Sequence, residues 1–213
     1  HNLLELVRTT PKYKRPLFFH ISTDEVYGDR IEGSFKESDK LNPSNPYSAT
    51  KVCSEMLINS YHRTYGIDYV MTRSGNNYGA RQYEEKLISK CITCLKEGDK
   101  IPIHGDGSYI RDWTYVKDNI NGILSIIDNN IKNSCFNIAA NNYLTNIDAV
   151  KSVIRFVNNT SDLSVGNEYI NLVEDRWGQD VRYSVDISKI KEVTGWQPKY
   201  TQGLYLDFIN EKI

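Results

Sequence analysis

A short apolar run, Leu17-Phe18-Phe19-His20-Ile21, is followed by a long helical pattern over 47–65 and then by a second apolar run over Asp68–Thr72. That alternation constrains the fold more than any other feature. Short apolar runs separated by helices of about ten or more residues become strands joined by crossovers, which gives an α/β fold with a parallel sheet. The pattern continues along the chain. A helix is expected over Glu85–Glu97, with Leu87, Ile88, Cys91, Ile92 and Leu95 on one stripe. Pro102-Ile103-His104 reads as a short strand before the turn Gly105-Asp106-Gly107. Val116–Asp128 reads as a helix, Cys135–Ala139 as a strand, and Asn146–Asn158 as a helix capped by Thr145 or Asn146. Tyr169–Val173 is expected to be a strand. Ile187–Val193 and Leu204–Glu211 are expected to be helices around the turn Gly195-Trp196-Gln197-Pro198. Residues 2–8 read as the end of a helix, Gly66 as the residue that stops helix 47–65, and 29–46 and 75–79 as loops.

In parallel sheets of this kind, ligands sit at the carboxyl ends of the strands. Thr23-Asp24-Glu25 falls at one such end and Asn76-Asn77 just beyond another. Two adjacent carboxyls repel when both are ionised, so one tends to keep a proton near neutral pH. Successive strand side chains point to opposite faces, so both acids can serve one ligand only if the strand ends by Asp24. Tyr47 and Lys51 are one turn apart on the helix that follows and share a face. An unperturbed tyrosine, with a pKa of about 10, is a poor base, and a neighbouring cation favours its phenolate. These groups together suit coupled redox and proton chemistry.

The rest of the composition narrows the field by exclusion. The net charge is -1, so no polyanion partner is expected, and nucleic acid is not predicted as one. No apolar run approaches the roughly 18 residues of a membrane span, and no secretory leader is visible. A reducing cytoplasm follows as the expected compartment. Cys53, Cys91, Cys94 and Cys135 do not form a disulfide framework in a chain of this length. Cys91 and Cys94 lie inside a helical pattern and are expected to be structural. The overlapping sequons in Asn158-Asn159-Thr160-Ser161 are read as chance. No metal-ligand spacing is present. His20 reads as a core or supporting residue and His62 as a helix-surface one. Trp113, Trp177 and Trp196 read as packing residues. No G-x-G-x-x-G fingerprint follows the first strand, and Gly105-Asp106-Gly107 is a turn. The pyrophosphate cradle of a dinucleotide fold is therefore not among these residues. The expectation is a chain that is inactive alone and belongs to a gene longer at its 5′ end.

Four segments occur in a telling order: Ser22-Thr23-Asp24-Glu25-Val26-Tyr27-Gly28, Pro46-Tyr47-Ser48-Ala49-Thr50-Lys51, Asn76-Asn77-Tyr78-Gly79 and Ile110-Arg111-Asp112-Trp113. With them the chain resembles the extended short-chain dehydrogenase/reductase family and, within it, the dTDP-glucose 4,6-dehydratases. The resemblance runs from Asn2 to Pro198, and Thr23-Asp24-Glu25 is its most specific part. It implies a Rossmann-type parallel sheet, of which this chain holds the C-terminal portion, with a smaller α/β substrate-binding lobe. Residues 1–80 and 113–145 would belong to the NAD-binding domain, and 81–112 and 146–213 to the lobe. The implied cofactor is NAD, the implied partner a nucleotide-sugar, the implied assembly a homodimer built on helices, and the implied context dTDP-rhamnose-type nucleotide-sugar metabolism.

The resemblance also implies roles. Tyr47 with Lys51 takes the proton of the sugar 4-OH while Thr23 positions that oxygen. Glu25 removes the C5 proton, and Asp24 protonates the departing 6-OH. Asn77 serves the cofactor side. Asn76, Lys86, Leu87, Pro102, His104, Arg111, Asn146, Asp175, Arg176 and Gln179 serve the nucleotide-sugar, with Arg111 clamping the diphosphate or else pairing with Asp112. Trp177, Gln179 and His104 depart from the family pattern of Pro, His and Tyr, which puts the base preference in doubt. Close rivals are UDP-sugar 4-epimerase and UDP-glucuronate decarboxylase, neither of which expels the 6-OH. A rival of another class is a non-catalytic fragment or degenerate homologue.

Overall fold

The computed structural model describes residues 1–160 and 166–211. Asn158 and Asn159 lie within it, whereas the second sequon ends at Ser161, outside the described residues. Helix α1 (Asn2–Thr9) leads to strand β1 (Phe18–Thr23), a 3-10 turn (Asp24–Tyr27), helix α2 (Pro46–Tyr65) and strands β2 (Tyr69–Ser74) and β3 (Asn76–Tyr78). Then come α3 (Leu87–Glu97), β4 (Ile101–His104), β5 (Ile110–Tyr115), α4 (Val116–Asp128), β6 (Ser134–Ile138) and β7 (Tyr143–Thr145). Helix α5 (Asn146–Thr160), β8 (Ile170–Val173), α6 (Ser188–Thr194) and a 3-10 turn (Asp207–Glu211) complete the order. The α/β class expected from the alternation is the class observed.

Strands β1, β2 and β6 form one parallel sheet in the order β1-β2-β6. Its register sets Thr23 opposite Ser74, and Ser74 opposite Ile138. The carboxyl ends of all three strands therefore reach the same edge, which is where a ligand meets such a sheet. Strands β3, β5 and β7 form a second sheet, parallel between β3 and β5 and antiparallel between β5 and β7; β4 pairs with β8 in parallel. Strand β1 ends at Thr23, and Asp24 and Glu25 lie on the 3-10 turn, which frees both acids from strand alternation.

Helix α2 begins with a capping box. The Asn45 side chain accepts from the Ser48 N–H at 2.9 Å, the Asn45 N–H donates to Ser48 Oγ at 3.3 Å, and Pro46 opens the first turn. Gly66 closes the helix in the left-handed conformation at φ 62°. Thr145 caps α5, accepting from the Asp148 N–H at 3.1 Å. The largest core cluster packs α3 and α5 over β4 and β5 through Ile88, Cys91, Ile103, Val150 and Val153. A second joins β2 and β6 to α4 and α6 through Val70, Ile126, Phe136 and Ile190. Cys91 and Cys94 are buried in the first, as expected of structural thiols, and burial pushes Cys91 up to about 12.

Several expectations are corrected. The segment read as a polar loop over 75–79 contains β3, and β5 and β7 arise where no strand was expected. These strands are rich in polar residues, so no apolar run announces them; pairing to neighbours makes them strands. The helix expected over Leu204–Glu211 is a 3-10 turn restricted to Asp207–Glu211. Trp113 and Trp196 are buried, but Trp177 is 98% exposed and packs into no core.

Candidate active site

A cleft of about 1200 Å³ opens at the carboxyl ends of β1 and β2. Thr23, Asp24, Glu25, Tyr47, Lys51, Asn76, Asn77, Lys86, Leu87, Pro102, His104, Arg111, Asn146, Arg176 and Gln179 all line it. Of the residues that the resemblance gives a role in the site, Asp175 alone does not. It stands just behind the rim, accepting a short hydrogen bond from the Tyr109 hydroxyl.

On the sheet-edge wall, Thr23 Oγ1 donates to Asp24 Oδ1 at 3.3 Å and accepts from the Glu25 N–H at 3.3 Å. Asp24 is 3% exposed, and its second oxygen, Oδ2, is buried without a partner. Burial pushes its carboxyl well above the usual carboxylate range, reinforced by the charges of Glu25 and Asp112. Glu25 is pushed up as well, chiefly by burial, while the Asn45 amide and Arg111 oppose the shift. Asp24 is thus the more strongly biased to keep its proton, and Glu25 the better able to accept one.

Tyr47 is half exposed on the first turn of α2. Its phenol is pushed up by burial and by the charges of Glu25 and Asp24, partly offset by the Thr23 hydroxyl. Lys51, one turn along α2 and also lining the cleft, donates from Nζ to the Ile21 carbonyl at 2.8 Å, which ties α2 to β1. On the β2–β3 side, Ser74 Oγ, Asn76 Oδ1 and Asn77 Oδ1 are buried without partners. Unpartnered buried acceptors are costly in isolation. Donors on a bound molecule would satisfy them.

The rest of the lining adds the cations Lys86, Arg111 and Arg176. Arg111 is buried and donates to Gln179 Oε1 at 3.1 Å and to the Ile110 carbonyl at 2.9 Å. It makes no ion pair with Asp112, because strand alternation turns the two apart. Asp112 instead accepts the backbone N–H groups of Ala140, Asn141 and Asn142 at 3.1, 2.9 and 3.2 Å. Burial pushes Asp112 up to about 6 despite those three bonds. Arg176, Trp177, Gly178 and Gln179 line the cleft as one segment. A Cβ on Gly105 at one end would lie 3.3 Å from the Asp175 carboxyl, and one on Gly178 at the other end 3.4 Å from the Ser44 carbonyl. His104 Nδ1 lies 2.9 Å from the Glu174 carbonyl.

Sequence reasoning missed several lining residues: Asn45, Gln82, Tyr83, Tyr109, Trp113 and Tyr183. Asn45 was readable as a cap. Trp113 has the same strand parity as Arg111, and would have followed from recognising β5. Tyr183 carries no sequence signal; it reaches the cleft because its hydroxyl donates to buried Asp180 at 2.7 Å. His62 is a helix residue bonded through Nδ1 to the Ile67 carbonyl, and His20 is partly buried. Among the described residues no cluster could hold a metal ion, and no helix is long and apolar enough to cross a membrane.

The sequence model of the GDP-mannose 4,6 dehydratase family matches residues 1–204. The dTDP-glucose 4,6-dehydratase of Haemophilus influenzae is 40% identical over 213 residues, which cover 96% of this chain and 62% of that protein. The crystal structure of dTDP-glucose 4,6-dehydratase from Bacillus anthracis in complex with NAD superposes with a TM-score of 0.83 at 38% identity, over 93% of this chain and 61% of the other. The UDP-glucuronic acid 4-epimerase of Bacillus cereus, solved with UDP-glucuronic acid and NAD, superposes with a TM-score of 0.85 at 27% identity, over 99% of this chain and 66% of the other. The chain thus spans about three-fifths of the length of the dehydratases it matches.

Proposed function

The chain belongs to the GDP-mannose 4,6-dehydratase family, and from that we propose that its protein dehydrates a nucleotide-diphosphate hexose to the 4-keto-6-deoxy sugar. dTDP-glucose is the first-choice substrate, after the relatives at 36–40% identity that are named dTDP-glucose 4,6-dehydratases. Asp24 carries the reading: a buried carboxyl biased to its protonated form, one oxygen free, beside a second carboxyl on the same turn. Elimination of water needs such a donor–acceptor pair.

Thr23 holds the sugar 4-OH, and Tyr47 takes its proton. NAD, when bound, supplies a reversible hydride store, filled from C4 and emptied at C6. The C4 ketone acidifies the C5 proton, which Glu25 removes. Asp24 protonates the 6-OH, which departs as water. Glu25 returns its proton to C5 as C6 is reduced, and the proton taken by Tyr47 balances the one spent by Asp24. Tyr47, Lys51 and Asn77 are the residues of this chain that would hold NAD. The buried, unpartnered Asn77 Oδ1 and the half-exposed Tyr47 on the cleft wall fit that use. Arg111 and Arg176 would grip the diphosphate, Arg111 through its fork of donors. Asn76, Lys86, Leu87, Pro102, His104, Asn146 and Gln179 would surround the rest of the nucleotide-sugar, with Asp175 bracing the rim.

Epimerisation at C4 uses the same oxidation but expels no 6-OH, so it has no use for a protonated Asp24. We read the cleft as shared between two parts, residues 1–80 with 113–145 as the NAD-binding portion and 81–112 with 146–213 as the sugar-nucleotide lobe. We read the protein further as a cytoplasmic homodimer supplying 6-deoxyhexose synthesis of the dTDP-rhamnose type, the exposed Met56 and Leu57 of α2 and Leu3 and Leu6 of α1 offering its apolar face. The test is the full-length protein with NAD and dTDP-glucose, its product followed by mass spectrometry for loss of water. Asp24→Asn should lower kcat by about 10²–10⁴-fold. Unchanged turnover would sink the general-acid role.

A further inference from the structure

Tyr47, Lys51 and Glu55 follow one another at successive turns of α2. The first two line the cleft; Glu55 is fully buried beneath it. Its carboxylate meets Arg73 of β2, with Arg73 Nη2 donating to Oε2 at 2.6 Å and Arg73 Nε to Oε1 at 3.2 Å. The side chains are 6% and 0% exposed. A buried pair of this kind is weak evidence for stability, because desolvation cancels much of the attraction. Its placement is more informative.

Ser22, immediately before Thr23, donates to Glu55 Oε1 at 2.6 Å. Tyr27, two residues after Glu25, accepts from Arg73 Nη1 at 2.6 Å and donates to Asn137 Oδ1 of β6 at 2.8 Å. The stretch Thr23-Asp24-Glu25 is therefore tied at both ends to one ion pair, and that ion pair is rooted in the helix that carries Tyr47 and Lys51. Gly28 then turns the chain away at φ 79°, where a Cβ would lie 2.3 Å from the Asn42 carbonyl oxygen.

We propose that Glu55, Arg73 and Tyr27 are positioning residues that fix Asp24 and Glu25 relative to Tyr47 and Lys51. The inference rests on the dehydratase reading. The two pairs act on neighbouring sugar carbons in consecutive steps, so an error in their spacing slows the second step after the first has occurred. Displacements of about 1 Å from substitutions remote from the reacting atoms can cost about 10²-fold.

The test is Tyr27→Phe in the full-length protein with NAD and dTDP-glucose. This change removes one hydroxyl and leaves the Arg73–Glu55 pair intact. The expected result is kcat reduced by about tenfold or more, KM within about twofold of wild type, and reduced nicotinamide accumulating in a single turnover because oxidation outruns elimination. Arg73→Lys, which keeps the charge and loses the fork, should show the same uncoupling more strongly. Wild-type kcat in folded Tyr27→Phe overturns the inference, as does a proportionate fall in both steps that tracks the folded fraction. If wild-type protein binds and turns over no nucleotide hexose, the dehydratase reading fails and the inference falls with it.

Discussion

On one wall of the cleft, Thr23, Asp24 and Glu25 are strung between two ties to a single buried ion pair; on the other, Lys86, Arg176 and Trp177 project from exposed segments. The first wall combines buried carboxyls, a 3-10 turn and three aligned strand ends. The second relies on a cross-braced loop and one buried cation, Arg111. Groups that exchange protons with a substrate must be held before it arrives, because their geometry enters the barrier directly. Groups that grip a nucleotide can settle around it. Changes on the first wall should therefore appear in kcat, and changes on the second in KM.

The largest break in that contrast should come from Glu25→Gln. Proton removal at C5 would fall by about 10²–10⁴-fold, read as loss of solvent deuterium incorporation at C5 with substrate affinity retained. Equal deuterium uptake in the variant would remove Glu25 from the role of base.

Asp112 tests the support behind the second wall. Its folded pKa of about 6 lies above the ordinary value of 3.8. The folded state thus binds the proton more tightly, and the stability this contributes is full below about pH 4 and lost as pH rises through about 6. The loss is about 3 kcal/mol across that window. Asp112→Asn should flatten that slope in urea titrations at a series of pH values, and an unchanged slope would show that its proton affinity is ordinary.

Arg111→Ala should raise KM by about 10–100-fold, the worth of a charge-assisted hydrogen bond, with a smaller change in kcat. A pure kcat effect would move Arg111 to the chemical wall. Trp177→Ala should leave the free energy of unfolding within about 0.5 kcal/mol of wild type, as for an exposed side chain with no packing role. A larger loss in thermal or urea unfolding would show a contact absent from the free structure.

The sheet carrying the chemistry was legible in the sequence because β1, β2 and β6 are apolar runs and α2 has its cap and its stop written in Asn45, Ser48 and Gly66. The Asp24 and Glu25 arrangement was half legible. The adjacency was plain, but the 3-10 turn that lets both acids face one cleft is a property of the fold. Strands β3, β5 and β7 were not legible, since Asn76 and Arg111 read as loop or motif residues, and no apolar run marks Tyr143–Thr145, until pairing orders them. Pairing with Asp112 stood only as the alternative use of Arg111, and the true partners of Asp112 could not be read, because three backbone N–H groups from another segment leave no mark in sequence. Trp177 was misread because large aromatics usually bury their surface.

That exposed indole has an optical consequence. Trp113 and Trp196 are 4% and 7% exposed, so both emit from a shielded interior, whereas Trp177 emits into water at the rim of the cleft. A collisional quencher in solution should reach one indole of the three. The chain thus carries its own fluorescent sensor of cleft occupancy: a molecule that settles beneath Trp177 should change its signal, while Trp196, buried away from the cleft, stays as an internal reference.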